Sequence, residues 1–428
     1  MSSARSVIVF AILIAFNIGF IRAESVQMLP LPPRPTVLRW NDRTIHVGVS
    51  RSMLESATNI KYGSDVEGAI RRSFDAWEKV ADITFIEDQS DELGLSPNGM
   101  SGDGTSLITV APTSENVLLF GKDDESAAAK TRVFYNRRGS ITEADIVLSP
   151  FQQFSTDGTY GTFDLQATLT HEIGHLLGLR HSTVIGSAMY SNSSRNGVFG
   201  ESLTRFNTIS DDDISAVRDL YGFAKDDDCC GSVSGRISSL VRNAKGVDIW
   251  LRDTLSGKVI GHATSAKDGS FSMGGLRNGA YMIQARENGN SAESPIFDLG
   301  GVSVSQGEVT NVTRRLPRRA KDFSVEFIGK NGILADSPLR LERGSTYTLY
   351  LGGHNLSASG ISPKSDSKFL VIDENSVSEQ PYDGGISGLS FTVYVSDEIP
   401  AGSYSICVAA GAGIRDCLVG AVVVPESH

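Results

Sequence analysis

Three histidines within residues 170–190, THEIGHLLGLRHSTVIGSAMY, stand at spacings that suit a metal ion. His171 and His175 are four residues apart, so on a helix their imidazoles share a face and can reach one ion, which zinc accepts readily. Glu172 projects about 100° further round such a helix, where it can reach a water on the ion instead of the ion itself. Gly178 can take the backbone angles that end a helix and turn the chain, which brings His181 back as a third ligand. Three protein ligands leave a fourth position open, the arrangement of a catalytic rather than a structural zinc. The bland alternative, a buried amphipathic helix with incidental histidines, would bury several polar groups without partners, which is costly.

A helix and a supporting sheet must position these residues. The helix is expected from about residue 163 or 165 to 177. Residues 66–80 place Val66, Ala69, Ile70, Phe74, Trp77 and Val80 on one helical face, and strands are expected near 43–49, 83–86, 107–110, 131–135 and 144–148. Ser210 followed by Asp211, Asp212 and Asp213 reads as the capped, acid-rich start of a last helix and not as a metal site. Past Lys225 short alternating runs separated by Gly and Asn turns replace helices.

At 428 residues the chain has room for two to four domains. Its net charge of −11 becomes −13 without residues 1–23, which hold Arg5 and Arg22 but no acid, and this argues against nucleic acid or an anionic membrane as partner. Arg5, the apolar run 7–20 and Ala23 before Glu24 read as an export signal cleaved after Ala23; an uncleaved anchor is the alternative, but the run is short for a span. The mature protein is therefore expected to be secreted, with no stable membrane insertion. Four cysteines suit an oxidising compartment. Cys407 and Cys417 are the best candidate pair, whereas Cys229 and Cys230 are adjacent, so that a strained vicinal bridge competes with free or intermolecular thiols.

The motif His171-Glu172-x-x-His175-x-x-Gly178-x-x-His181, followed by Ser187-Ala188-Met189-Tyr190, resembles the metzincin zinc proteases, and within them the matrixins, the matrix metalloproteinase group. The stretches 66–87, 141–149 and 211–222 extend the likeness over about residues 38–223. The resemblance implies an exported zinc endopeptidase acting on protein or peptide substrates. One catalytic Zn²⁺ would be held by His171, His175 and His181, Glu172 would be the general base, and Met189 an apolar floor beneath the metal. It also implies an edge strand near residues 131–135 that takes up extended substrate, and a pocket between the active-site helix and the segment after Met189 that accepts an apolar residue. Asp145 matches a calcium ligand of the family if residues 144–149 are its third strand; it fits the last strand of the sheet equally, so Ca²⁺ stays open as a second cofactor. The family's usual prodomain cysteine is missing before Cys229, so the chain is expected to need no proteolytic activation.

The expected plan is multidomain: an α/β metzincin-type catalytic domain, a twisted sheet with an active-site helix, followed by two all-β sandwich domains. Its boundaries are a signal peptide at 1–23, a Pro-rich linker at 24–37, a matrixin-like domain at 38–224, a sandwich at 229–318 and another at 322–428. The first sandwich resembles the carboxypeptidase regulatory-like domain through residues 247–251, Asp268-Gly269-x-Phe271 and Leu276-x-Asn278-Gly279-x-Tyr281. The second resembles the IPT/TIG immunoglobulin-like kind through residues 352–356 and 399–404. These domains are candidate protein- or carbohydrate-binding modules, with residues 314–321 a basic linker between them and His262 and His354 at the surface. A different class of function, adhesion with an inactive or only self-processing protease domain, is the alternative.

Overall fold

Apolar residues alternate in TIHVGVS, so Ile45 and Val47 turn one face of a strand into the core. The helix Val66–Glu78 buries Ala69, Ile70, Phe74 and Trp77 along one stripe, and Asp65 caps its start by accepting from the Gly68 amide at 3.0 Å. The computed structural model describes residues 26–28, 37–55, 57–97, 102–121, 126–192, 195–200, 209–223, 229–239, 244–287, 294–317 and 319–426. The expected export signal lies outside them. No helix among the described residues is long and apolar enough to cross a membrane.

In chain order the N-terminal region forms β1 (Val26–Met28), β2 (Thr44–Ser50), α1 (Arg51–Leu54), α2 (Val66–Glu78), β3 (Thr84–Ser90), β4 (Leu107–Thr109) and α3 (Ser114–Phe120). It continues with β5 (Ala129–Tyr135), β6 (Ile141–Leu148), the two-residue strands β7 (Phe154–Ser155) and β8 (Phe163–Asp164), α4 (Leu165–Leu176) and α5 (Asp211–Tyr221). One six-stranded sheet runs in the order β1-β5-β6-β4-β2-β3, parallel except where β5 meets β6. Helices α2 and α4 pack together on it, joined by a hydrogen bond from Trp77 Nε1 to the Thr170 carbonyl at 3.0 Å. The strand β1 was not anticipated. It pairs in parallel with β5, Val26 opposite Thr131 and Met28 opposite Val133, inside a Pro-rich stretch expected to be unpaired.

From Cys229 onward the regular structure of the described residues is almost entirely strand. A middle unit comprises β9 (Cys229–Ser238), β10 (Val247–Asp253), β11 (Val259–Thr264), β12 (Ser270–Arg277), β13 (Gly279–Glu287), β14 (Phe297–Val304) and β15 (Val309–Arg315). Its sheets, β11-β10-β13-β14 and β12-β9-β15, enclose a core around Ile249, Leu251, Leu276 and Ile283. A C-terminal unit comprises β16 (Ser324–Lys330), β17 (Ile333–Ala335), β18 (Leu339–Arg340), β19 (Thr346–His354), β20 (Ser362–Ser365), β21 (Leu370–Pro381), β22 (Ser387–Val395), β23 (Gly402–Ala410) and β24 (Ile414–Val424). Its sheets are β17-β16-β19-β22-β21 and β18-β24-β23-β20.

The units pack tightly together. Helix α5 lies on β11 and β12, and Val184, Trp250, Val259, Ile296, Cys407, Cys417 and Val419 form one small core drawn from all three. This packing corrects two expectations. His262 is not a surface residue: its side chain is 8% exposed, its ring lies 6.1 Å from that of Trp250, and its Nε2 is 3.5 Å from Asp248 Oδ1, because β11 is covered by α5. The basic stretch is not an open linker at its ends either. Arg314 and Arg315 belong to β15, and the fully buried Lys321 ammonium binds Asp416 Oδ2 at 2.9 Å. His354 is exposed as expected. Cysteines pair as Cys407–Cys417, directly opposite across β23 and β24, and as the vicinal Cys229–Cys230.

Candidate metal centre

Helix α4 starts where Asp164 accepts from the Ala167 amide at 2.8 Å, and Leu165, Leu169, Ile173 and Leu176 are fully buried. Its last carbonyls would be orphans in a buried helix end. They are taken by Trp40 Nε1, which donates to Leu176 O at 2.9 Å, and by the Tyr221 hydroxyl, which donates to Leu177 O at 2.7 Å. Gly178 follows with φ +94°, and a Cβ there would sit 2.3 Å from the Leu38 carbonyl, so only glycine fits the turn. The chain then doubles back to His181.

The structure brings His171, His175 and His181 together with their ligand nitrogens within 4.8 Å of one another. His171 Nδ1 lies 2.7 Å from Ala188 O and His175 Nδ1 lies 2.9 Å from Leu179 O. A carbonyl only accepts, so both Nδ1 atoms carry the proton and both Nε2 lone pairs are free for a metal. Burial holds His171 below the ordinary histidine range. Burial, aided by the other two rings, holds His175 well below it. Neutral imidazoles are the form that binds metal. His175 Nε2 stands 3.1 Å from His181 Nε2. Tetrahedral zinc with bonds near 2.0–2.1 Å sets its nitrogens about 3.3 Å apart. The donor set therefore fits zinc.

Glu172 is 5% exposed and faces β5, where the Thr131 hydroxyl lies 2.5 Å from its Oε2 and 3.2 Å from its main-chain carbonyl. Burial pushes the carboxyl up to about 7, while the Thr131 hydrogen bond and the Lys130 charge pull the other way. Met189 is buried under α4. A Cβ on Gly174 would meet its sulfur at 2.2 Å, so the small residue between the first two histidines is what admits the methionine.

Asp213 is an anchor that the sequence reading, content with a helix start, passed over. Its Oδ1 accepts from Ser187 Oγ at 2.5 Å and the Met189 amide at 3.1 Å; its Oδ2 accepts from the Ala188 amide at 2.8 Å and the Ser210 amide at 2.9 Å. The carboxylate thus fixes the peptide whose carbonyl holds His171. Asp212 holds Ser182, next to His181, through its hydroxyl at 2.6 Å. Asp145 is buried in the sheet interior, where it accepts the Ser96 and Leu107 amides at 3.0 and 3.1 Å. Thus the last-strand reading holds for its position, and both carboxylate oxygens are occupied by backbone donors.

Residues 120–222 match the matrixin family. The match covers β5, β6, α4, the three histidines, Met189 and α5. Among curated proteins the matrixin-like stretch is 25% identical over 159 residues to the interstitial collagenase of Oryctolagus cuniculus, covering 37% of this chain and 29% of that one. It is 27% identical over 167 residues to metalloendoproteinase 1 of Glycine max, covering 36% and 45%, and 28% identical over 179 residues to matrix metalloproteinase-2 of Drosophila melanogaster, covering 41% and 20%. This chain spans less than half the length of these relatives.

Proposed function

We propose that the chain is an exported zinc metalloendopeptidase that hydrolyses peptide bonds of protein substrates. The observation that carries this reading is the convergence of three imidazoles, those of His171 and His175 buried and with Nδ1 tied to carbonyls so that Nε2 faces a shared centre. His171, His175 and His181 would hold the zinc, which when bound supplies a Lewis acid able to make water nucleophilic near neutral pH. Glu172 takes up the proton as water attacks the scissile carbonyl and delivers it to the leaving amine. Thr131 steadies the carboxyl through one oxygen and leaves the other for this exchange. Met189 supports α4 from below as a packing residue, without ligating.

Strand β5 is the strand against which an extended substrate would lie: Thr131 ties it to Glu172, and its outer main-chain groups could pair with substrate wherever β1 does not cover them. That outer side is where Val26–Met28 runs. The segment before the catalytic unit therefore competes with substrate for the same hydrogen bonds, and the expectation of a chain that needs no trimming is replaced by one of partial latency without cysteine.

The β units after Cys229 are proposed to be the carboxypeptidase regulatory-like and IPT/TIG-like modules of the expected plan, with the boundaries given above. The peptidase reading is tested by purifying wild type, Glu172→Ala and His175→Ala and measuring bound zinc and casein cleavage. Glu172→Ala is expected to keep zinc and lose at least about a hundredfold in turnover, within the range that general acid–base catalysis supplies, whereas His175→Ala loses zinc. A Glu172→Ala protein with wild-type turnover refutes the assignment.

A further inference from the structure

We propose that the C-terminal β unit sets which residue is accepted after the scissile bond, by clamping the segment after Met189 that walls the pocket; this rests on the peptidase reading and deepens it. The segment is pinned on both sides of Met189. Before it, Ile185 is buried in the core of the C-terminal unit and its amide donates to Val419 O at 2.8 Å. The approach there is close, since a Cβ on Gly186 would lie 2.7 Å from Gly420 O. After it, Phe199 is buried in the same core.

Phe199 has φ 57°, in the left-handed region that bulky side chains avoid. Such a conformation persists only where surrounding structure enforces it. Here the enforcing contact is the ring's place beside the C-terminal unit, whose strand β17 lies against the Val198–Gly200 turn. Between these pins Asn192 Nδ2 donates to Asp336 Oδ2 at 2.7 Å, directly after β17. The opposite side of the segment is tied to the entry of α4. Asn196 exchanges hydrogen bonds with Gly161 and Thr162 at 2.9 and 2.8 Å, and the Arg195 guanidinium stacks 4.4 Å from the Phe163 ring centre. Residues 185–192 and 195–199 are thus held between the active-site helix and the C-terminal unit, and on the peptidase reading they wall the pocket. Specificity then belongs to residues of both, and Asp336 is a positioning residue acting through Asn192.

Asp336 touches no metal ligand and can be changed in the full-length chain. With Asp336→Ala, hydrogen exchange across residues 185–199 should speed up by tenfold or more, with zinc content unchanged. A peptide library should show a broadened preference at the residue after the cut, with KM raised several-fold and kcat within about twofold, the pattern of lost binding rather than lost chemistry. Asp336→Asn keeps an oxygen for Asn192 and should restore wild-type exchange and profile. Hydrogen exchange reads the clamp without any activity, so a wild type that cleaves nothing would count against the peptidase reading alone. An Asp336→Ala protein with wild-type exchange over 185–199 and a wild-type cleavage profile overturns the clamp.

Discussion

Replacing Asp213 by Asn tests how the metal centre is held without touching a ligand. The carboxylate accepts two hydrogen bonds from the Met-bearing loop through Oδ1 and, through Oδ2, one from that loop and two from Ser210, its amide and its hydroxyl. An amide of the same shape has one oxygen and one NH₂. Facing its NH₂ toward the Ala188 and Ser210 amides would orphan two buried donors, so the variant should keep its oxygen there and turn the NH₂ toward Ser187 and Met189. The Ser187 hydroxyl can rotate to accept; the Met189 amide retains only Ser187 Oγ, 3.0 Å away. One charge-assisted bond is lost, about 1.5–3 kcal/mol, and the others become neutral, so the total should be about 2–4 kcal/mol at a site that is 1% exposed. Part of this appears as looseness of the Ala188 carbonyl, which orients His171, and orienting partners of this kind typically contribute ten- to a hundredfold to metal affinity, or about 1.4–2.7 kcal/mol. A competitive titration with a chromophoric zinc chelator measures it. If Asp213→Asn binds zinc within about threefold of wild type and melts at the same temperature, the loop is not held in the way described.

Gly178→Ala forces a side chain into a φ of +94° and against the Leu38 carbonyl, so zinc content and melting temperature should both fall, and a variant matching wild type in both would show that the turn can relax. Burial pushes the Asp145 carboxyl up to about 8, above its value in an unfolded chain, so the folded form binds the proton more tightly and stability should fall as pH rises from about 4 towards 8. Asp145→Asn should flatten that slope in denaturant titrations; an unchanged slope removes Asp145 as its source. A chain starting at Leu38 should cleave a test peptide several-fold faster than one starting at Glu24, because β1 occupies the outer side of β5; equal initial rates would mean that the strand yields to substrate at no cost.

The histidine set was legible because helical spacing and a glycine turn are local properties, and the structure brings together the three residues that the spacing selected. Alternation located β2, the short apolar runs at 131–135 and 144–148 fell on β5 and β6, and the Ser210 cap located α5. What escaped the sequence depends on pairs far apart in the chain. Thr131 holds Glu172 across 41 positions, and nothing in TRVFY distinguishes that hydroxyl from a surface threonine. Gly174 reads as a weak helix former until Met189 is seen beneath it. Asp213 satisfied a local rule, that of helix capping, and so its second role gave no separate signal. His262 lay on a strand whose outer face only the packing of α5 could bury. The strand β1 was hidden by composition, since proline-rich sequence argues for an unpaired chain and β1 supplies only three pairings on an edge.

The small core shared by Val184, Trp250, Cys407, Cys417 and Val419 also fixes an order of events. A polypeptide emerges from its N-terminus, and domains fold as they appear. The zinc ligands and α4 are made early, but the loop that carries Val184 and Ile185 finds the last of its partners in β24, at the far end of the C-terminal unit. On the peptidase reading, the loop beside the metal ligands is therefore fully braced only when the last strand is in place.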